Sequence, residues 1–129
     1  MKYRLMDLLA CPICKTFPLR LIVFTEYEIT PPQRIIRCEL YCAYHNLTIS
    51  DDVRTECSKC YSREIREGVI FCSNCGRWYP IDEEIPRMLP DELRNKKEDI
   101  SFLDRWRKNI PSKILYEGRP FSLDENREV

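Results

Sequence analysis

Hydrophobic positions near the start of the chain recur at the spacing of a helix. Three leucines fall on one face of residues 3–10, namely Leu5, Leu8 and Leu9, and apolar residues at this spacing predict a short helix pressed on the core. From residue 19 the pattern changes. The segment LRLIVFTEYEI, residues 19–29, is rich in β-branched and aromatic residues and partly alternates, which predicts a strand.

Further apolar segments predict an antiparallel sheet. A second strand is predicted over residues 34–41, and the polar stretch that follows reads as a loop or a short return. Glu67 and Gly68 are turn residues in front of two short apolar segments, 69–71 and 77–81. These two segments flank a cysteine pair, so they predict a compact hairpin.

Beyond Pro90 the pattern returns to helical spacing. Five apolar residues fit one face of a helix that Asp91 or Ser101 would cap and Pro111 would end: Leu93, Ile100, Leu103, Trp106 and Ile110. The basic residues between them are the solvated face of this helix or, alternatively, a surface for RNA bound to a partner: Arg94, Lys96, Lys97, Arg105, Arg107 and Lys108.

Composition narrows the class of protein. In 129 residues, 43% are hydrophobic and 33% charged, which is ordinary for one folded domain with at most one added module. Lys plus Arg and Asp plus Glu both number 21, so no excess positive charge attracts nucleic acid by itself. No apolar run approaches the roughly 20 residues of a membrane span. Asp7 interrupts the early apolar stretch and no export signal is recognised, so we expect a cytoplasmic protein.

The eight cysteines change the picture because they form four close pairs: Cys11 with Cys14, Cys38 with Cys42, Cys57 with Cys60, and Cys72 with Cys75. Close pairs of reduced thiols are typical of metal sites, and two C-x-x-C knuckles complete a tetrahedral zinc site. The composition resembles that of a thermophilic protein, and disulfides do occur inside hyperthermophiles. Disulfides between these cysteines therefore stay open as an alternative to metal binding.

Four knuckles can be matched in nested, sequential or crossed order. Crossed order is typical of RING modules, but residues 43–56 separate Cys42 from Cys57, which argues against a RING.

Two stretches of the chain resemble one known family. LLACPIC near the start, followed by a strand, and the later IFCSNCGRWYPIDEEIPRML are similar to the zinc-ribbon methyltransferase-activator subunits, of archaeal type. These are the small shared subunits of tRNA, ribosomal RNA and release-factor methyltransferases. The resemblance covers about a third of the chain and implies the nested order.

The resemblance also assigns roles to residues. It implies that Cys11, Cys14, Cys72 and Cys75 (the outer quartet) hold zinc. It further implies that an apolar surface helps to bind a SAM-dependent methyltransferase, a surface formed by Phe71, Trp78, Ile81, Ile85, Met88 and Leu89. We expect several such partners, with RNA met only through them.

The remaining four cysteines, Cys38, Cys42, Cys57 and Cys60 (the inner quartet), also lie within ligand spacing. A second zinc ion is preferred to disulfides, because a polar insert gains folding free energy from a metal. His45 is an alternative ligand in place of one cysteine.

These inferences predict a small α+β zinc-binding protein with a ribbon-like antiparallel sheet. The predicted divisions are a discontinuous ribbon domain (1–29 and 67–90), a cysteine-rich insert (30–66), and a C-terminal helix and tail (91–129). No glycine-rich loop or Ser-His-Asp set is present, and an all-cysteine site has no open position, so we expect no catalysis. The alternatives are a zinc-ribbon RNA-binding or transcription-associated module and a purely structural zinc protein.

Overall fold

The computed structural model describes residues 1–33, 35, 37–50 and 56–123. The strands in chain order are β1 (Arg20–Glu28), β2 (Tyr41–Cys42), β3 (Leu47–Thr48), β4 (Arg63–Phe71), β5 (Trp78–Asp82) and β6 (Ile85–Pro86). The α-helices are α1 (Cys57–Tyr61), α2 (Lys96–Arg105) and α3 (Ser112–Glu117), and 3-10 helices span Tyr3–Asp7 and Asp91–Leu93. No helix in the described part of the chain is long and apolar enough to cross a membrane.

A four-stranded antiparallel sheet forms the centre of the fold, in the order β1-β4-β5-β6, and β2 pairs with β3 separately. The long strands β1 and β4 pair from Arg20 opposite Phe71 to Glu28 opposite Arg63. The predicted strand over 19–29 is therefore confirmed, as is the α+β class with a cysteine cluster able to bind metal.

The predicted turn at Glu67 and Gly68 is wrong. Strand β4 runs through both residues, with Gly68 opposite Val23 on one side and Ile81 on the other. A Cβ atom at Gly68 would lie 2.5 Å from the Ile22 carbonyl oxygen. The glycine therefore permits close approach of two strands, which is the other common reason for glycine inside a strand. Because β4 begins at Arg63, it also crosses the predicted limit between insert and ribbon, and the domain division stays a prediction.

The N-terminal helix is shorter than predicted. It is one 3-10 segment that ends at Asp7, and Leu8 is 63% exposed whereas Met6 is fully buried. Leu5 and Leu9 pack on the core as expected. The tighter 3-10 winding, at three residues per turn, turns Met6 inward and Leu8 outward.

The predicted strand over 34–41 is wrong for most of its length. Only Tyr41 belongs to a strand, and Arg34 and Ile36 lie outside the described residues. Before Tyr41 the backbone N–H groups of Glu39 and Leu40 donate to the Asp7 carboxylate, which takes the place of a strand partner. The predicted loop or short return is the β2–β3 hairpin, and residues 51–55 lie outside the described part.

Each face of the sheet covers one core cluster. The first cluster joins the N-terminal segment to Ile65, Ile70, Tyr79 and Ile81. The second joins Val69, Phe71 and Trp78 to the C-terminal helices. Along β1, Leu21 and Val23 pack on the first cluster, while Ile22 and Phe24 pack on the second, as the alternation of a strand requires.

The C-terminal helix is divided in two. Helix α2 begins after Asn95, whose side-chain oxygen accepts the Glu98 N–H at 3.1 Å, so the cap is neither Asp91 nor Ser101. Leu93 precedes the helix and is 63% exposed. Pro111 stands at the start of α3, a place that suits proline because the N–H there has no helical partner. The predicted tail beyond residue 123 lies outside the described residues.

Candidate metal centre

Two turns of the same geometry present the outer quartet. In the first, the Lys15 N–H donates to the Cys11 carbonyl at 2.9 Å, and in the second the Gly76 N–H donates to the Cys72 carbonyl at 2.9 Å. Lys15 has φ 66° and Gly76 has φ 78°. Glycine tolerates this positive φ without steric cost, and Lys15 adopts the same backbone conformation without the freedom of glycine.

The four sulfur atoms meet between these two turns. Cys11 Sγ lies 3.7 Å from Cys75 Sγ, and Cys14 Sγ lies 3.4 Å from Cys72 Sγ. All four sulfurs lie within 4.8 Å of one another. A tetrahedron with metal–sulfur bonds of about 2.3 Å has edges of about 3.8 Å. The outer quartet therefore fits a metal ion, and the structure brings together the first and fourth knuckles.

Hydrogen bonds prepare part of this quartet for the thiolate form. The side chains of Asn74 and Thr16 are the main cause that lowers the pKa of Cys14 to about 5. Burial raises the pKa of Cys11, but the Cys14 N–H and the Tyr79 hydroxyl, 3.2 Å away, outweigh it, and the net shift is downward. Burial raises the pKa of Cys72 to about 11. A bound cation would favour the thiolate in every member, because metals bind cysteine as thiolate.

Four sulfur ligands define what the centre can do. A tetrahedral ion held by four thiolates has no position for water or substrate, which is the arrangement of structural zinc sites. The knuckles come from the segment before β1 and from the β4–β5 connection, so an ion here would join the N-terminal segment to the central sheet. The geometry supports a structural centre.

The inner quartet is placed differently. Cys38, Cys42 and Cys60 are buried and Cys57 is partly buried, and none of the four is in a disulfide. Among the described side chains, only the outer quartet forms a group with all ligand atoms within 4.8 Å. Burial, followed by the charge of Cys42, raises the pKa of Cys38 to about 11 and that of Cys60 to about 12. The inner four therefore lie near one another without being drawn to ligand distance.

His45 faces the backbone of the segment that follows it. Its Nε2 accepts the Glu56 N–H at 2.9 Å, so that the nitrogen's lone pair is engaged and the ring proton sits on Nδ1. The structure gives no support to His45 as a metal ligand in place of a cysteine.

The predicted partner surface divides into buried and accessible residues. Phe71, Trp78 and Ile81 are at most 6% exposed. The reason is that the C-terminal helices cover the face of Phe71 and Trp78, and the N-terminal segment covers that of Ile81. The accessible part of the surface is Ile85 and Leu89, with exposed fractions of 59% and 40%.

Met88 is half-buried and packs against the first core cluster. Met88 therefore lies between the accessible residues Ile85 and Leu89 and the first core cluster.

Sequence reasoning missed a buried ion pair on the other side of the sheet. Arg94, taken above for a solvated residue, is 9% exposed; its Nη1 donates to the Trp78 carbonyl at 2.7 Å. Its guanidinium also pairs with Asp99 at 2.8 Å and stacks over the Trp78 ring. No spacing signal in the sequence distinguishes Arg94 from its basic neighbours. The inward packing of Trp106 is confirmed by its ring contact with Phe24 at 4.9 Å.

The four-cysteine cluster lies within a region of the chain that matches a known protein family. The profile of one family, described as Trm112p-like protein, matches residues 2–84. This range contains both quartets and the whole central sheet up to the β5–β6 turn, and it leaves the C-terminal helices outside. No curated protein matches the chain. Because the match covers more than half of the sequence and spans the cysteine cluster, the chain belongs to the Trm112p-like family, the family of methyltransferase activators.

Proposed function

We propose that this protein is a non-catalytic, zinc-binding subunit that binds, stabilises and activates SAM-dependent methyltransferases acting on tRNA, ribosomal RNA or a release factor. The observation that carries the proposal is the coincidence of the family match over residues 2–84 with a closed four-cysteine cluster inside it. A metal site with four protein ligands stabilises the fold and leaves no open position for a reaction. An activator subunit needs a stable surface for its partner and no reactive group of its own.

Zinc is the proposed ion, with one in the outer quartet and a second in the inner quartet. Zinc suits an all-thiolate tetrahedral site and has no redox chemistry that would oxidise its ligands. The proposed location is the cytoplasm, where cysteine thiols stay reduced and available to a metal ion. The proposed assembly is a heterodimer with one of several methyltransferases, and RNA reaches the complex through the catalytic subunit.

The proposed contact surface is the accessible apolar patch of Ile85, Met88 and Leu89. The edge of β5 is not open to a strand of a partner, because the chain itself occupies it. The Trp78 N–H donates to the Arg119 carbonyl at 3.0 Å, and the Arg87 N–H donates to the Pro80 carbonyl at 2.9 Å. Side-chain contacts at the patch are therefore proposed to supply the binding free energy.

Co-expression with methyltransferases from the same genome tests the proposal. The protein should co-purify with at least one of them in equal amounts and raise its soluble yield, because a ligand that binds only the folded state stabilises it. If no methyltransferase co-purifies or gains solubility, the proposed function is wrong. A chain that instead binds RNA alone, with affinity that falls steeply with salt, would support the nucleic-acid module.

A matched pair of variants tests the surface. Ile85 and Leu40 are both 59% exposed, and Leu40 lies in the segment before β2. Ile85→Glu should abolish co-purification while Leu40→Glu retains it, and both should stay folded. If both variants keep the partner, the function can stand but the surface lies elsewhere.

A further inference from the structure

We propose that the inner quartet is a second structural zinc site with an all-cysteine ligand set, and that this ion joins the β2–β3 hairpin to helix α1 around the N-terminal 3-10 helix. The inference deepens the two-ion part of the proposed function. It does not depend on a methyltransferase, because the site belongs to the isolated chain.

Two elements carry the ligands in pairs. Cys42 lies in β2, four residues after Cys38, and Cys57 and Cys60 lie at the first and fourth positions of α1. Cys38, Cys42 and Cys60 are 8%, 3% and 5% exposed. Both separations are within the ligand spacings of zinc sites. The four sulfurs are not within 4.8 Å of one another as those of the outer quartet are, so a bound ion would have to draw them together.

The first pair is fixed by a buried carboxylate. Asp7 accepts N–H groups from Glu39, Leu40 and Tyr41 at 3.0, 2.8 and 2.7 Å, so that the whole turn between Cys38 and Cys42 is held against the 3-10 helix. Three backbone donors on one carboxylate are an arrangement that orders a loop before any ligand binds.

The second pair is held from two sides. The His45 ring in the β2–β3 turn accepts the N–H of Glu56, the residue before Cys57. At the other end of α1, the Lys2 ammonium donates to the Tyr61 carbonyl at 3.3 Å and stacks over the Tyr61 ring. The hairpin and helix α1 are thus tied to each other, and both are tied to the same N-terminal segment.

The hydrogen bond of His45 decides the ligand set. Since Nε2 accepts a backbone N–H, His45 positions Glu56 and Cys57 and leaves four sulfurs as the ligands. Four thiolates on Zn²⁺ carry a net negative charge. Two cationic side chains interact electrostatically with these sulfurs: Arg4 with Cys38 and Lys2 with Cys60. The charge of the filled site is therefore partly compensated by the surrounding chain.

The insert contributes little to the two apolar core clusters. The two core clusters consist of residues from the ribbon and the C-terminal segment, and Ala43 is the described insert residue that packs on them beside Ile65 of β4. A small segment with so little apolar core gains its stability from metal or covalent links. An ion in the inner quartet would supply it.

Metal counting on the full-length protein tests the inference. Native mass spectrometry of protein purified in zinc should show two ions per chain. The Cys57→Ser/Cys60→Ser variant should show one ion and keep the circular dichroism of the sheet. His45→Gln should keep both. With Co²⁺ in place of Zn²⁺, the thiolate charge-transfer absorption of the double variant should fall about twofold, because loss of the inner ion removes four of the eight metal–thiolate bonds.

Several outcomes would overturn the inference. One ion in the wild-type protein, two ions in the double variant, or loss of an ion in His45→Gln would each contradict the all-cysteine site. If the double variant does not fold, thiol alkylation of the wild type decides: all eight cysteines protected by zinc and released by chelation support the site, and disulfides in the inner quartet refute it. These readouts involve no partner, so failure of the methyltransferase proposal would leave them unchanged.

Discussion

The side chain of Asp7 holds the segment in front of β2 in place. It is 6% exposed and accepts three backbone N–H groups of the segment from Glu39 to Tyr41. Burial raises its pKa, but these donors and Arg4 outweigh burial, so the net pKa lies below the usual value. Hydrogen bonds to a charged group contribute roughly 1.5–3 kcal/mol each in favourable cases, so the carboxylate is a main support of the cysteine-rich insert.

The variant Asp7→Asn should therefore destabilise the protein by about 1–3 kcal/mol at neutral pH, because the amide keeps acceptors but loses the charge. A lowered folded-state pKa gives stability that is present above the unfolded pKa of about 3.9 and is lost as pH falls through the folded pKa. The difference between wild type and variant should shrink in that acid range. Denaturant unfolding at a series of pH values measures it, and a difference that does not change with pH would contradict the assignment.

Among the elements of the fold, the C-terminal helices cover one face of the central sheet. Helices α2 and α3 bury Phe71 and Trp78 on one face of the sheet, and Arg119 pairs in parallel with Arg77 beside β5. The Arg77 guanidinium also holds Asp91 through two hydrogen bonds of 2.9 and 2.8 Å. The family match ends at residue 84, so this cover is built from sequence beyond the matched region.

Two leucines in this segment make a matched test. Leu115 is 4% exposed and Leu93 is 63% exposed. Leu115→Ala should lower the free energy of unfolding by about 2–5 kcal/mol, whereas Leu93→Ala should change it by less than about 0.5 kcal/mol. Chemical denaturation followed by the fluorescence of Trp78 and Trp106 measures both. Equal effects would mean that α3 is not part of the cooperative core.

For the whole molecule, the outer quartet is the junction between the N-terminal segment and the sheet. Cys11 and Cys14 precede β1, while Cys72 and Cys75 connect β4 to β5. A structural ion that links segments so distant in sequence contributes folding free energy directly. An ion bound by the outer quartet would therefore stabilise the ribbon as a unit.

Removal of the outer ion can be achieved with Cys72→Ser, which opens the closed site. We expect loss of the ribbon fold, seen as faster hydrogen exchange in β4 and β5 and a lowered Tm, with chelator treatment of the wild type giving the same result. A Ser73→Ala variant, in an exposed position of the same turn, is the control and should keep both fold and metal. A Cys72→Ser protein with unchanged exchange would show that packing alone holds the ribbon.

The sequence by itself determined the cysteine pairs that could bind a metal, the long strand β1 and the family. Cysteine spacing, strand periodicity and the two motif-bearing stretches are local signals, so they can be recognised from neighbouring residues alone. Gly76 is an example, since its positive φ follows from its place after a C-x-x-C pair. The grouping of the outer four cysteines, by contrast, was implied by the family resemblance and not by their spacing.

Only the tertiary structure decided which apolar and charged residues are accessible. Trp78 and Ile85 stand in one motif, yet one is fully buried and the other is 59% exposed, because residues more than twenty positions away fold over Trp78. Gly68 was predicted to be a turn residue, because nothing in the neighbouring sequence indicates that Ile22 of another strand lies against it. Arg94 and Asp7 have partners that are 5 to 34 residues distant. Burial and long-range pairing depend on the whole packed chain, so they could be read only from its three-dimensional arrangement.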